Sequence, residues 1–396
     1  MALDFKEIVT YSEELFNDLI RIRRHLHKNP ELGRKEFKTS AFLQGELKWA
    51  GILDFQMVGE TGFCADIIVD EKKSWIAMRG DIDALPIPDK KKVAYRSQVS
   101  NMCHACGHDF HAAVTLGVAK TLQHFKHYLK GNVRFIFQHA EELTPGGAID
   151  FVNAGKLKNI DVIFGLHADP TIEVGKLRLV PGWITAQSIY IKLAVNGTGG
   201  HSARPFETSD PIFLGTMLLN ELYSSLYRLQ RPESPFVFTI GKVEGGDSFN
   251  SIATSFIAEG TLRVTDSEQG DQLLAFIKQT INTLCKKWHA RSNFFYRKGA
   301  LPVINDPDLT KLADNIIKEI IDKECIINQG RSLGGEDFSE FTKVTSGLFI
   351  KIGVSNNKNS NVLHSSYFDI DEKAIPFAVS LFTWLLINYF SSIKKD

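Results

Sequence analysis

The chain has 396 residues, enough for two domains with a sizeable core. Its 46 basic residues balance 46 acidic ones and 43% of residues are hydrophobic. That composition is expected of a soluble globular protein, and nothing in it favours nucleic acid or an anionic membrane as partner.

The opening MALDFKEIVTYSEE has no basic region followed by an apolar run, so no signal peptide is expected. No stretch reaches about 18 uninterrupted apolar residues, which leaves the cytoplasm as the expected compartment. Leu15, Leu19, Ile22 and Leu26 recur at helical spacing, predicting an amphipathic helix over 11–27 that stops at Asn29-Pro30. SWIAMRGD (74–81) reads as a strand, 109–130 as a helix, and VRFIFQ (133–138) and DVIFGLH (161–167) as further strands. Strands alternating with helices predict an α/β layered sheet, mostly parallel at its centre.

From about residue 184 the rhythm changes. SIYIKLAV (188–195) alternates apolar and polar residues, as a half-exposed strand does. A helix over 210–229 follows, then the strands PFVFTIGKV and SFIAEGTLRV, a helix over 267–289 and the strand NFFYRK (293–298). The order β-α-β-β-α-β is that of a ferredoxin-like unit. An α/β pattern then resumes. The expected organisation is therefore a discontinuous domain of residues 1–184 and 300–396 with a second domain, 185–299, inserted into it.

Five cysteines, Cys64, Cys103, Cys106, Cys285 and Cys325, are too sparse for a disulfide framework. Metal-capable side chains gather at Cys103, His104, Cys106, His108 and Asp109; at Glu141-Glu142; at His167; and at His364. RGDIDALP adds Asp81 and Asp83. Most of these follow a predicted strand or precede a helix, where an open α/β sheet brings distant residues into one crevice. Cys103-x-x-Cys106 lacks the proline and aromatic surroundings of a redox pair, and no second ligand pair follows at the short spacing of a structural zinc site. A thiolate, a carboxylate and three imidazoles together suit two divalent ions, zinc or another late first-row metal, with manganese also admitted by the carboxylate. An adjacent carboxylate that does not ligate can serve as general base on water.

RRHLHKNPEL (23–32), RGDIDALPI (79–87), CHACGHDFHAA (103–113), FQHAEE (137–142), GLHADP (165–170), GTGGHSARP (197–205), KVEGGDSFNSI, GGEDFSEF (334–341) and LHSSYFDIDE (363–372) occur in one order along nearly the whole chain. In these segments the chain resembles the co-catalytic metallopeptidases that include aminoacylases, hippurate hydrolases and plant auxin-conjugate amidohydrolases. The resemblance implies metal ligands at Cys106, His108, Glu142, His167 and His364, a catalytic base at Glu141 and a supporting role for Asp83. It further implies that Cys106 bridges two metals as thiolate, with Cys103 and His104 packing beside the site. His201 would stabilise the oxyanion, and Asn250 and Arg263 would contact the substrate or scaffold the inserted domain. That domain would act as lid and as the contact of a homodimer.

The implied activity is hydrolysis of N-acyl amino acids, of N-acetyl, benzoyl or indole-acetyl type, with zinc or manganese, or else nickel or cobalt. A dipeptidase or carboxypeptidase-like activity at the same centre, and a non-catalytic protein that binds acyl amino acids, are the rival readings. Two departures stand out. His139 replaces a proline common in the resembling proteins, with a changed approach of Glu141 or a third polar group near the metals as the expected consequences. FNSIATS replaces an asparagine-valine-isoleucine-proline run around Asn250.

Overall fold

A computed structural model describes residues 3–355 and 362–392. The chain forms two compact units: Met1–Ile184 with Val303–Arg331 and Asp337–Asp396, and Thr185–Pro302 with Ser332–Glu336. The short segment 332–336 thus groups with the second unit, although the chain on either side of it belongs to the first.

The first unit is built on an eight-stranded sheet. Its order is Asp54–Val58, Gly62–Ile67, Asn132–Gln138, Trp75–Asp81, Ile160–Glu173, Ser346–Ser355, Leu177–Arg178 and Ile326–Ile327. The four central strands, from Asn132–Gln138 to Ser346–Ser355, run parallel, and the first two strands join antiparallel. The central strands are near-continuous apolar runs because both faces are covered.

The helix His108–His124 is buried through its first four turns, as its small and apolar residues on all sides require. It packs against Ala374–Ser392, a helix long and apolar enough to cross a membrane. Ser380, Thr383 and Asn388 interrupt that run, so a count of unbroken apolar residues passes over it. In the structure 72% of its apolar stretch is buried, which makes it a core helix.

Two predicted helices differ in extent. The segment 11–27 lies in two helices, Phe5–Glu14 and Phe16–Lys28, with Leu15 between them. The first starts early because Asp4 and Glu7 form a capping box. The helix predicted to reach 130 ends at His124, and a single 3₁₀ turn, Lys126–Tyr128, continues the chain.

The second unit is the ferredoxin-like α+β fold. Its sheet has the order Phe236–Gly245, Ser255–Val264, Gln187–Asn196, Arg291–Lys298, all antiparallel. Helices Pro211–Arg228 and Ser267–Lys287 are each capped by an aspartate, Asp210 and Asp266, that accepts two backbone N–H bonds. Leu214, Leu218, Leu222 and Leu226, one turn apart, pack with Ile277 and Ile281 over the buried face of Gln187–Asn196.

If Ala374–Ser392 is a core element, Leu386→Ala leaves a cavity at a residue with no exposure. The expected loss is about 2–5 kcal/mol in the unfolding transition of the first unit, read by denaturant titration.

Candidate metal centre

Four separate segments of the first unit bring the candidate ligands together. Cys106 and His108 flank Gly107, whose φ of 90° is left-handed. A Cβ there would also stand 3.0 Å from Ala168 Cβ, so glycine is needed to turn both side chains inward at the helix start. Glu141 and Glu142 follow the end of the strand Asn132–Gln138. His167 lies within the long strand Ile160–Glu173. His364 sits on a loop at φ 62°, its N–H donating to Ala105 O at 2.8 Å.

Ligand atoms of Cys106, His108 and His167 lie within 4.8 Å of one another, as do those of Cys106, Glu142 and His364. Cys106 belongs to both triads. His108, Glu141 and Glu142 form a third such group. Individual separations are 3.5 Å from Cys106 Sγ to His167 Nε2, 3.2 Å from His364 Nε2 to Glu142 Oε1, and 3.9 Å from His108 Nε2 to either glutamate. Cys106 and His108 are buried, whereas the His364 side chain is 52% exposed, so the cluster opens to solvent on one side.

The backbone fixes which ring nitrogens face the cluster. His108 Nδ1 lies 3.0 Å from Asp83 O and 3.1 Å from Asp83 Oδ1, and His167 Nδ1 lies 2.8 Å from Ala168 O. Each Nδ1–H donates to oxygen, which leaves each Nε2 lone pair aimed inward. Asp83 Oδ2 accepts the N–H of Glu142 at 3.1 Å, so one carboxylate sets both His108 and Glu142.

Charge distribution fits a bound cation. Burial opposes charge on His108, but Asp81, Asp83 and Cys106 outweigh it and raise its pKa well above the usual range. Bonds from Cys106 and Glu142 push His364 up to about 10. Burial raises the Cys106 thiol, and burial with His111 nearby keeps His167 neutral. His108 Nε2 is buried without a hydrogen-bond partner among the described residues. Thiol, imidazole and carboxylate donors around such an orphaned atom fit divalent late first-row metals, whose charge would also deprotonate the thiol.

A buried network underlies this cluster and was not singled out from sequence. Asp81 accepts from Arg79 Nη1 and His111 Nδ1, both at 2.6 Å. His111 Nε2 in turn accepts from Ala168 N at 2.8 Å, beside His167. Arg79 Nε donates to Gln138 Oε1 at 2.7 Å, and Gln138 Nε2 donates to both oxygens of Asp337 at 2.8 Å. Asp337 also receives Ala148 N at 3.0 Å. The spacing His108-x-x-His111 was the available signal, since positions three apart share a helix face.

Asp109, next to His108, lies 2.7 Å from both Arg23 Nε and His27 Nδ1, which gives RRHLH its place in the fold. Cys103 and His104 are buried nearby, and burial pushes His104 down to about 3. His139 does not join the metal-capable groups. Its Nε2 bonds Asp150 Oδ2 at 2.9 Å instead.

Three predicted residues lie in the second unit. His201, on the short strand Gly200–His201, is exposed, and its Nδ1 accepts from Ala203 N at 3.0 Å. Asn250 is exposed and pairs with Ser248 Oγ at 2.7 Å. Arg263 Nη1 donates to Leu333 O at 2.7 Å, so its guanidinium holds the segment 332–336.

The chain thus combines a parallel-centred α/β unit, whose two metal-capable triads share a thiol, with a ferredoxin-like unit. The chain belongs to the peptidase family M20/M25/M40, whose sequence model matches residues 77–388. It is 35% identical over 377 residues to the N-acetyl-L-cysteine deacetylase of Bacillus subtilis, spanning 93% of this chain and 89% of that one. It is 33% identical over 383 residues to an IAA-amino acid hydrolase of Arabidopsis thaliana, spanning 96% and 86%. Among solved structures it resembles the Bacillus subtilis YXEP protein, a dinuclear metal binding peptidase of the M20 family. The TM-score is 0.84 at 29% identity, over 96% of this chain and 100% of that one.

Asp81→Asn removes a buried negative charge to which both the Arg79 guanidinium and the His111 imidazole are bonded. Asp81→Asn is expected to cost about 3 kcal/mol of stability. Unfolding followed in the presence of a chelator separates this loss from any change in metal binding.

Proposed function

We propose that the protein cleaves the amide bond of N-acyl amino acids by activated water, with Glu141 as general base. The observation that carries this reading is the adjacent glutamate pair. Glu142 Oε1 faces His364 in a triad with Cys106, while Glu141 Oε2 stands 3.9 Å from His108 at the same cluster. In this reading one carboxylate ligates and its neighbour moves a proton.

Cys106, His108, Glu142, His167 and His364 would hold two divalent ions, Cys106 being common to both triads. Zinc and manganese suit the donors, and nickel and cobalt are also compatible. When bound, the ions polarise the acyl carbonyl and lower the pKa of water. Glu141 accepts the proton of the attacking water and delivers it to the departing amine. His201, from the second unit, donates a hydrogen bond to the oxyanion. Arg263 acts through the segment 332–336, whose Leu333 carbonyl it holds, and Asn250 lies in the same unit for contact with the substrate. The second unit serves as lid and as the contact of a homodimer. Cysteines that stay free suit the cytoplasm.

Glu141→Gln keeps the shape and removes the base. Turnover should fall by about 10²–10⁴ while metal content stays at the wild-type level. A variant that turns over at nearly the wild-type rate would sink the assignment. His201→Ala should lower turnover by about 10²–10³ and leave metal content intact. Loss of metal in that variant would move His201 into the ligand set. Assay of N-acetyl, N-benzoyl and indole-acetyl amino acids beside plain dipeptides separates amidohydrolase from dipeptidase. A metal-loaded preparation inert on every compound would favour a binding protein.

A further inference from the structure

The chain from the end of the strand Asn132–Gln138 to Glu142 is anchored at three residues. Gln138 is held by Arg79 and Asp337, Ala140 N donates to Glu36 Oε1 at 2.8 Å, and Glu142 N donates to Asp83. Ala140 has φ 52°, a left-handed conformation that costs a residue with a Cβ about 1–2 kcal/mol. Something must hold the chain there, and Glu141 follows directly.

His139 supplies that hold from the other side. It is buried, and its Nε2 meets Asp150 Oδ2 at 2.9 Å. Asp150 belongs to the helix Ala148–Asn153 and is gripped a second time by Arg34 Nη1 at 2.8 Å. The ring lies against Phe151, with centroids 5.8 Å apart. Glycines make room for it: a Cβ on Gly62 would fall 2.2 Å from His139 Nδ1, and one on Gly147 would fall 1.9 Å from His139 O. Gly147 N also donates to Ala140 O at 2.9 Å, closing the loop 141–146 between the two anchors.

We propose that His139 is a positioning residue for Glu141. Through Asp150 it braces the left-handed turn at Ala140 and so fixes the direction in which the Glu141 carboxylate leaves the strand. Its imidazole stays out of the metal-capable cluster. The inference rests on Glu141 being the base, but its own test is separable.

The experiment is a double-mutant cycle with His139→Ala and Asp150→Ala, read as kcat, KM and metal content on an N-acyl amino acid. Each single change should lower kcat about tenfold and leave KM and metal content within about twofold. The double variant should be no slower than the slower single one, because both remove one brace. His139→Gln, which can still reach Asp150, should recover most of the rate. Asp150 is partly exposed, so its variant remains informative if His139→Ala fails to fold. Losses that multiply in the double variant, a kcat loss that follows metal loss, or an unchanged rate in the single variants would overturn the proposal. Turnover retained by Glu141→Gln would overturn the base itself, whatever the cycle gives.

Discussion

A guanidinium with no access to water lies beneath the candidate metal centre, and the rest of the site is arranged around neutralising it. Arg79 stands near the end of a central parallel strand, where side chains from several strands converge. Its charge is met by Asp81 on the same strand and by Asp337 from the far end of the sequence. Neither pair is worth much as stability, since the desolvation of such ions offsets most of their attraction. What they provide is register. Asp81 continues to His111 and from there to the backbone beside His167, while Gln138 and Asp337 hold the strand that ends at the two glutamates. The candidate ligands thus inherit their spacing from a buried network whose members are already bonded to one another.

That arrangement commits Asp81 to the network in spite of its position near the cluster. Each of its oxygens already takes a short bond, one from Arg79 and one from His111. His108 Nε2 stands 3.7 Å away, close enough to feel the charge but with its lone pair directed at the cluster. The negative potential from Asp81 and Asp83 raises the proton affinity of His108, and the same potential would favour a metal cation at that nitrogen. Proton and metal compete for one lone pair, so the electrostatics that hold a proton in one state hold a cation in the other.

Much of the fold was legible because its signals are local. The alternation over Gln187–Asn196, the leucines of Pro211–Arg228 and the order of strands and helices give the ferredoxin-like unit directly. The parallel centre follows from apolar strands separated by helices. Other features depend on non-local partners. The early start of the first helix turns on a capping box outside the apolar repeat, and the burial of Ala374–Ser392 turns on what packs around it. The grouping of 332–336 with the second unit was not legible either, because a five-residue excursion leaves no periodicity to read. For the site, the motifs pointed to Cys106, His108, Glu142, His167 and His364, and those side chains do lie together. Arg79 and Gln138 sat inside the same motifs yet carried no mark of their role, since a buried hydrogen bond has no sequence spacing.

His139 shows how a single departure can be absorbed. A proline at that point would set one backbone angle and donate nothing. A histidine leaves the angle free and must gain its restraint from elsewhere, which here is a bond to Asp150 in a pocket that glycines keep open. The same geometry also removes the imidazole from the metal-capable cluster. A polar ring two residues from Glu141 could otherwise have competed for the water or the ions. Pairing with Asp150, itself held by Arg34, commits the ring elsewhere, so one bond both restrains the turn and keeps the candidate ligand set free of an extra imidazole.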